Sequence, residues 1–164
     1  MQRRWIIVVL ALVAATAFAI AVQAGRWWSV GDVEIGPFGS KHCFDGDCRP
    51  ASLSWVGGTS RWARTGMGAW AGGLVSAIVL AVMAAAVASR RVPVLAAKTA
   101  LVSIATTLVA GALFIAQYPG VQGAGVDRGI PIFAGAIVLG AIVAIVVLRA
   151  ARARVTTAAA AAPD

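Results

Sequence analysis

The chain has 164 residues, of which 60% are apolar and only 12% are charged, and its mean hydropathy is +0.88. Soluble domains have about 45–50% apolar and about 25% charged residues. The composition therefore excludes an ordinary soluble globule and a disordered chain, and it predicts an integral membrane protein. The net charge of +8 indicates membrane orientation rather than a nucleic-acid partner, because of where the basic residues lie.

Four apolar runs are each long enough to cross a hydrocarbon core about 30 Å thick. We predict transmembrane helices over residues 5–24, 65–89, 94–117 and 130–148. The runs are continuous rather than alternating, which favours helices over barrel strands. The first run also resembles a signal peptide, because Arg3 and Arg4 precede it and small residues close it at Val22-Gln23-Ala24. Its length favours a retained span.

Charge is distributed unevenly between the two sides of this predicted bundle. Eight of the 14 basic residues, but only one of the six acidic residues, lie in the N-terminus, the 90–98 link or the 149–164 tail. The positive-inside rule then places both termini in the cytoplasm. We expect the basic tail over 149–164 to be disordered. The excess of Arg over Lys and the abundance of Ala are typical of a GC-rich bacterial genome, so the expected location is a bacterial inner membrane.

The first extracytoplasmic segment, residues 25–64, predicts a small antiparallel sheet. Val33-Glu34-Ile35 and Leu53-Ser54-Trp55 alternate apolar and polar residues, as half-buried strands do. The short second segment, 118–129, predicts one edge strand near Val121 or Val126. The expected fold class is an all-α membrane protein, a four-transmembrane-helix bundle with a small disulfide-linked antiparallel β-sheet in the first extracytoplasmic loop.

The two cysteines flank a strong hairpin signal, Cys43-Phe44-Asp45-Gly46-Asp47-Cys48. An Asp45-Gly46 turn would place Phe44 opposite Asp47 and Cys43 opposite Cys48. Opposed residues are close enough for a bridge after modest adjustment, and disulfides persist outside the cytoplasm. We predict a structural disulfide. A redox pair is the alternative, although thiol oxidoreductases usually carry Cys-x-x-Cys.

The sequence predicts no catalytic, metal or cofactor site. His42 is the only histidine, and zinc requires three or four ligands at matched spacing. The middle of each span contains no Asp, Glu, His or Arg, whereas proton relays and ion pathways usually require them. This pattern disfavours a proton-coupled transporter.

Small residues recur every four positions along the spans, which lets helices approach closely. We interpret these stripes as packing faces within the bundle, or as a face for an oligomer or partner. They are Gly68, Gly72 and Ser76 in the second span, Ala136, Gly140 and Ala144 in the fourth, and Ala11, Ala15 and Ala19 in the first. Tryptophans at the span ends predict an interfacial aromatic belt, formed by Trp5, Trp27, Trp28, Trp62 and Trp70.

The whole plan resembles the claudin and peripheral-myelin-protein superfamily of four-span membrane proteins. Trp27 or Trp28 matches the first-loop tryptophan of that family, Cys43 and Cys48 match its cysteine pair, and Arg61 or Arg64 matches the arginine before the second span. The family's Gly-Leu-Trp is absent, with Gly36-Pro37-Phe38 as a loose substitute. The resemblance implies a sheet-capped, left-handed four-helix bundle without enzymatic activity.

Three functions remain open at this point. The leading hypothesis is a non-enzymatic structural, contact or accessory subunit that associates laterally, as a homo-oligomer or within a larger membrane complex. The second is a membrane thiol–disulfide or quinone-linked oxidoreductase that uses Cys43 and Cys48. The third is a small transporter or channel component. Membrane lipids are the other expected partners, and nucleic acid is not expected.

Overall fold

The computed structural model describes residues 2–24, 26–91 and 93–160, with side chains described as far as residue 153. Four long helices form a bundle, and a five-stranded antiparallel sheet lies at one end of it. The helices are α1 (Gln2–Ala19, continued by a π-helical turn Ile20–Ala24), α2 (Ser60–Ala88), α3 (Val94–Ala116) and α4 (Gly129–Ala160). The strands are β1 (Trp28–Val30), β2 (Val33–Ile35), β3 (Ser40–Phe44), β4 (Asp47–Ala51) and β5 (Gly125–Val126).

All four helices are long and apolar enough to cross a membrane. They agree with the four predicted spans, although α2 begins at Ser60, five residues before the predicted start, because Thr59 caps it by accepting a hydrogen bond from the Trp62 backbone N–H. The main helix contacts are α1 with α2 and α4, and α3 with α2 and α4. Consecutive helices run in opposite directions, so residues 2–4, residues 89–91 and the end of α4 share one end, here called the terminal end. The opposite end is called the sheet end.

The expected disorder of the tail is wrong over residues 149–160, which continue α4 as a helix. The physical reason is composition, since alanine has the highest helix propensity and this segment is rich in it. Residues 161–164 lie outside the described residues.

The middle of the bundle is filled by one residue from each helix. A Cβ added to Gly140 of α4 would lie 3.0 Å from Ile104 of α3, 3.2 Å from Leu80 of α2 and 3.5 Å from Phe18 of α1. Phe18 and Leu80 are fully buried. The stripe that contains Gly140 therefore faces the interior, where Ala136 and Ala144 are also buried.

The strands are ordered β4-β3-β2-β1-β5, so the first inter-helix segment supplies four strands and the second supplies one. Val33–Ile35 is a strand as predicted, and β5 places the predicted edge strand at Val126. The predicted strand at Leu53-Ser54-Trp55 is wrong, because residues 53–56 form a 3₁₀ turn. Ser52 caps this turn through the Ser54 N–H, and Gly57 ends it with φ of 76°, a left-handed conformation that glycine adopts without strain.

Candidate recognition surface

The β3–β4 hairpin is built by its turn residues. Asp45 and Gly46 both have positive φ, 49° and 89°, as a two-residue type I′ turn requires. The resulting register pairs Phe44 with Asp47 and Cys43 with Cys48, and the two cysteines form a disulfide. The predicted disulfide is confirmed in the structure. Because the turn sets the register, the disulfide locks a pairing that the backbone already favours.

One face of this hairpin combines aromatic and charged side chains, and we call it the hairpin surface: His42, Phe44, Asp47, Arg49 and Trp55. Directly paired residues share a face of a sheet, and the register pairs His42 with Arg49 and Phe44 with Asp47. Phe44 is 63% exposed at the tip. Aromatic residues and arginine are enriched in protein-binding interfaces, and this face carries Phe44, Trp55 and Arg49.

The 3₁₀ turn contacts the β3–β4 hairpin through Trp55. The Trp55 indole N–H donates to the Ser40 hydroxyl at 2.8 Å, and the His42 ring meets the Trp55 ring edge-on at 4.9 Å. Ser40 is buried and lies in turn near the carbonyls of Ala51 and Ser52 at 3.3 Å. These contacts tie β3, the end of β4 and the turn together, while Trp55 stays 42% exposed.

The free edge of the sheet is protected against unspecific strand pairing. β4 is the outermost strand, and it contains Pro50, which has no N–H to offer to a neighbouring strand. Its charged residues Asp47 and Arg49 are exposed. The opposite edge, β5, is only two residues long. Both edges of the sheet therefore offer little backbone for pairing with a further strand.

A buried aromatic cluster fixes the sheet on the bundle. Trp27 and Trp62 are 0% and 1% exposed, so the predicted interfacial belt is wrong for these residues and for Trp28 at 4%. Trp62 of α2 stacks on Phe114 of α3 at 5.0 Å. Trp28 of β1 stacks on Tyr118 at 4.2 Å, and the Trp27 ring lies 4.8 Å from Phe133 of α4.

Both buried indole N–H groups reach helix carbonyls. Trp27 donates to the Ala21 carbonyl in the π-helical turn, and Trp62 donates to the Phe114 carbonyl, each at 2.9 Å. Ala21 lies in the π-helical turn that continues α1, and Phe114 lies in the last turn of α3, where helices leave acceptors without helical donors. The cluster therefore provides hydrogen-bond donors to carbonyls at helix ends and also buries apolar area. Both effects attach the sheet to the bundle. Burial also raises the pKa of Tyr118 above its usual value.

Arg26 connects the two segments that form the sheet. Its guanidinium pairs with Glu34 of β2 at 2.9 Å and with Asp127, beside β5, at 3.3 Å. The Arg128 backbone N–H lies 2.6 Å from the Asp127 carboxylate, and this bond, helped by Ser29 and by the charges of Arg26 and Arg128, holds the pKa of Asp127 below its usual value. The charge pattern of the sequence did not single out Arg26.

The remaining sequence-selected residues lie between helices. Gly68, Gly72 and Ser76 face α3: an added Cβ on Gly68 would meet the Ala110 Cβ at 3.5 Å, and Ser76 approaches Ser103 at 3.2 Å and Thr107 at 3.4 Å through hydroxyl groups. Ala11 and Ala15 are buried, and Ala19 packs against the core. These stripes thus contact neighbouring helices of the same chain, while Gly68 is also exposed at the groove between α2 and α3.

Arg61 and Arg64 are exposed at the start of α2 and line a groove of about 700 Å³ between α2 and α3. Arg64 donates to the Ser60 carbonyl and hydroxyl in its own first turn, at 3.2 and 3.3 Å. Neither arginine belongs to the hairpin surface. The structure therefore brings together only part of the residue set suggested by the family resemblance.

Comparison of the chain with protein-family models, with curated proteins and with solved structures finds no match.

Removal of the disulfide by the Cys43→Ser/Cys48→Ser double substitution is expected to loosen the hairpin and to leave the bundle intact. A bridge with a sequence separation of five closes a short loop, which by the chain-entropy model stabilises by about 2 kcal/mol. Hydrogen–deuterium exchange should become faster over residues 40–51 and stay unchanged in α2 and α3. Equal acceleration in the helices would contradict a local role of the bridge.

Proposed function

We propose that this chain is a non-enzymatic, claudin-like integral membrane protein that acts as a structural, contact or accessory subunit and presents its hairpin surface to a partner outside the cytoplasm. Both termini would lie in the cytoplasm of a bacterial inner membrane, as the distribution of basic residues indicates. Lateral partners would be a second copy of the chain or a larger membrane complex.

The observation that carries the proposal is the exposed aromatic tip of a rigidly mounted hairpin. Phe44 is 63% exposed, whereas the tryptophans beneath the sheet are buried and hydrogen-bonded to α1 and α3. A hairpin held in one orientation loses little entropy on binding, which favours a recognition role. The same arrangement, a small disulfide-linked sheet on a four-helix bundle, supports the hypothesis of a claudin-like protein.

The disulfide supports a structural role over the redox alternative. Cys43 and Cys48 are directly paired across a tight turn, so the bridge is a rung of the hairpin. The described residues contain no second cysteine pair that could pass electrons to it. The transporter alternative has no comparable support, since the middle of the bundle is filled by Phe18, Leu80 and Ile104.

Site-specific photo-crosslinking tests the proposal in intact cells. A benzoylphenylalanine at position 44 should yield a discrete protein adduct, because Phe44 lies at the centre of the proposed contact. The same residue at position 41 is the matched control, since Lys41 is exposed on the opposite face of β3. An adduct twice the chain mass of 16.6 kDa indicates a second copy, and any other protein mass indicates an accessory role.

Two outcomes would contradict this function. Adducts of equal yield at positions 41 and 44 would show that the hairpin surface has no preference for a partner. Adducts with lipid alone at position 44 would assign the aromatic tip to the membrane surface.

A further inference from the structure

A cavity of about 950 Å³ opens at the terminal end of the bundle, remote from the hairpin surface. Five arginines from three parts of the chain line it: Arg3 and Arg4 at the start of α1, Arg90 and Arg91 in the turn between α2 and α3, and Arg149 in α4. Residues so distant in sequence reach one cavity only because the bundle brings the three segments to the same end.

The positive charge of this cavity has no counterpart among the described residues. Arg26 forms ion pairs with Glu34 and Asp127 at the sheet end, remote from these five arginines. Five of the six acidic residues lie between residues 32 and 127, in the segments at the sheet end, and Asp164 lies outside the described residues. Arg4 has its charge over the ring of Trp5, at 5.3 Å, and its Nε is buried without a hydrogen-bond partner. None of the described residues that line the cavity therefore supplies an anion to these arginines.

Two features of the backbone lie at the border of the cavity. Arg90 occupies the left-handed position after α2 with φ of 62°, where glycine is usual and other residues cost about 1 kcal/mol or more. On the same border, Pro93 is the N-cap residue of α3 and makes no side-chain cap, so it supplies no acceptor to the first N–H groups of that helix. Uncapped N–H groups at a helix start attract phosphate oxygens.

The rest of the lining is apolar. Ile7, Val87, Val146 and Val147 form an apolar wall beside the arginines, in which Val87 and Val147 are buried and Ile7 and Val146 are half-buried. A free phosphate compound would gain nothing from this wall, whereas an amphiphile could place its phosphate among the arginines and an acyl chain along the accessible parts of Ile7 and Val146.

We infer that this cavity is a binding site for an anionic phospholipid. The five arginines carry more positive charge than one phosphate diester can neutralise. A headgroup with two phosphates should therefore bind more tightly than one with a single phosphate. The site is independent of the partner proposed for the hairpin surface.

Native mass spectrometry of the full chain in mild detergent tests the site, with cardiolipin, phosphatidylglycerol and phosphatidylcholine as probes. We expect binding in that order of affinity. The Arg90→Gln/Arg91→Gln variant should raise the dissociation constant for cardiolipin at least about tenfold, because two charge-assisted contacts are lost. The Lys98→Gln/Arg152→Gln variant removes the same charge from the same end at residues that do not line the cavity, and it should change affinity less than about threefold.

A single variant separates binding from folding. Arg90 has a positive φ, which glycine adopts without strain. The Arg90→Gly variant should therefore keep or raise thermal stability while its affinity for cardiolipin falls. Equal losses in the two double variants would overturn the site in favour of unspecific charge attraction. Full competition by millimolar inorganic phosphate would assign the arginines to a soluble phosphate compound, and equal affinity for all three lipids would likewise overturn the inference.

Discussion

Replacement of Trp62 by alanine is expected to lower the free energy of unfolding by about 3–5 kcal/mol, the range for large aromatic truncations in a packed core. The side chain is 1% exposed, stacks on Phe114 and donates its indole N–H to the Phe114 carbonyl. Truncation leaves a cavity between α2 and α3 and an acceptor without a donor. Pulse proteolysis across a dodecyl sulfate titration in mixed micelles measures the change.

Two further variants separate the contribution of the Trp62 hydrogen bond from that of its ring, and that of a buried tryptophan from that of an exposed one. Trp62→Phe keeps an aromatic ring but loses the N–H donor, so it should cost about 1–3 kcal/mol. Trp5→Ala is the matched control, since Trp5 is 52% exposed on α1 and should cost less than about 1 kcal/mol. If the tryptophans formed one interfacial belt, Trp62→Ala and Trp5→Ala would have similar effects, and that result would contradict the buried cluster.

The four helices and the hairpin were predictable because each depends on local sequence. Uninterrupted apolar runs determine the four long helices, so their number and approximate bounds follow from hydropathy alone. Asp45-Gly46 determines the β3–β4 register through turn geometry, and the disulfide follows from that register. In both cases the signal lies within about 20 neighbouring residues.

The aromatic cluster was not predictable, because its members meet only after the bundle forms. Trp27 and Trp62 stand at span ends, where lipid-facing tryptophans are also common. What decides their burial is the sheet above them, which covers the centre of the bundle and provides Trp28 as a neighbour. The cavity at the terminal end was missed for the same reason, since Arg3, Arg90 and Arg149 are far apart in sequence.

The alternation of Leu53-Ser54-Trp55 misled because a 3₁₀ turn can also place apolar residues two or three positions apart. Leu53 and Val56 face the core, whereas Trp55 turns towards Ser40. The Ser52 cap and Gly57 were the local signals for a turn. The alternation of apolar and polar residues indicates a strand, whereas the capping residues indicate a turn. Periodicity alone therefore gives the wrong element here.

Substitution of Gly66 by alanine is expected to separate the sheet from α2. An added Cβ would lie 2.6 Å from the Pro37 carbonyl oxygen and 2.7 Å from the Phe114 ring. The first of these is backbone in the β2–β3 connection, which cannot move without shifting the sheet, so overpacking should cost about 1–3 kcal/mol despite the better helix propensity of alanine. Pulse proteolysis and hydrogen exchange over residues 33–44 measure the loss.

Gly68→Ala is the matched control on the same helix. Its Cβ would meet the Ala110 Cβ at 3.5 Å, an ordinary contact, so the helix-propensity gain of about 1 kcal/mol should leave stability unchanged or raised. The four-residue spacing of the sequence selected Gly68 and passed over Gly66, because spacing shows which glycines share a helix face but not which one another segment touches. Equal effects of the two substitutions would show that the sheet does not rest on α2 at Gly66, and the rigid mounting on which the hairpin surface depends would lose that support.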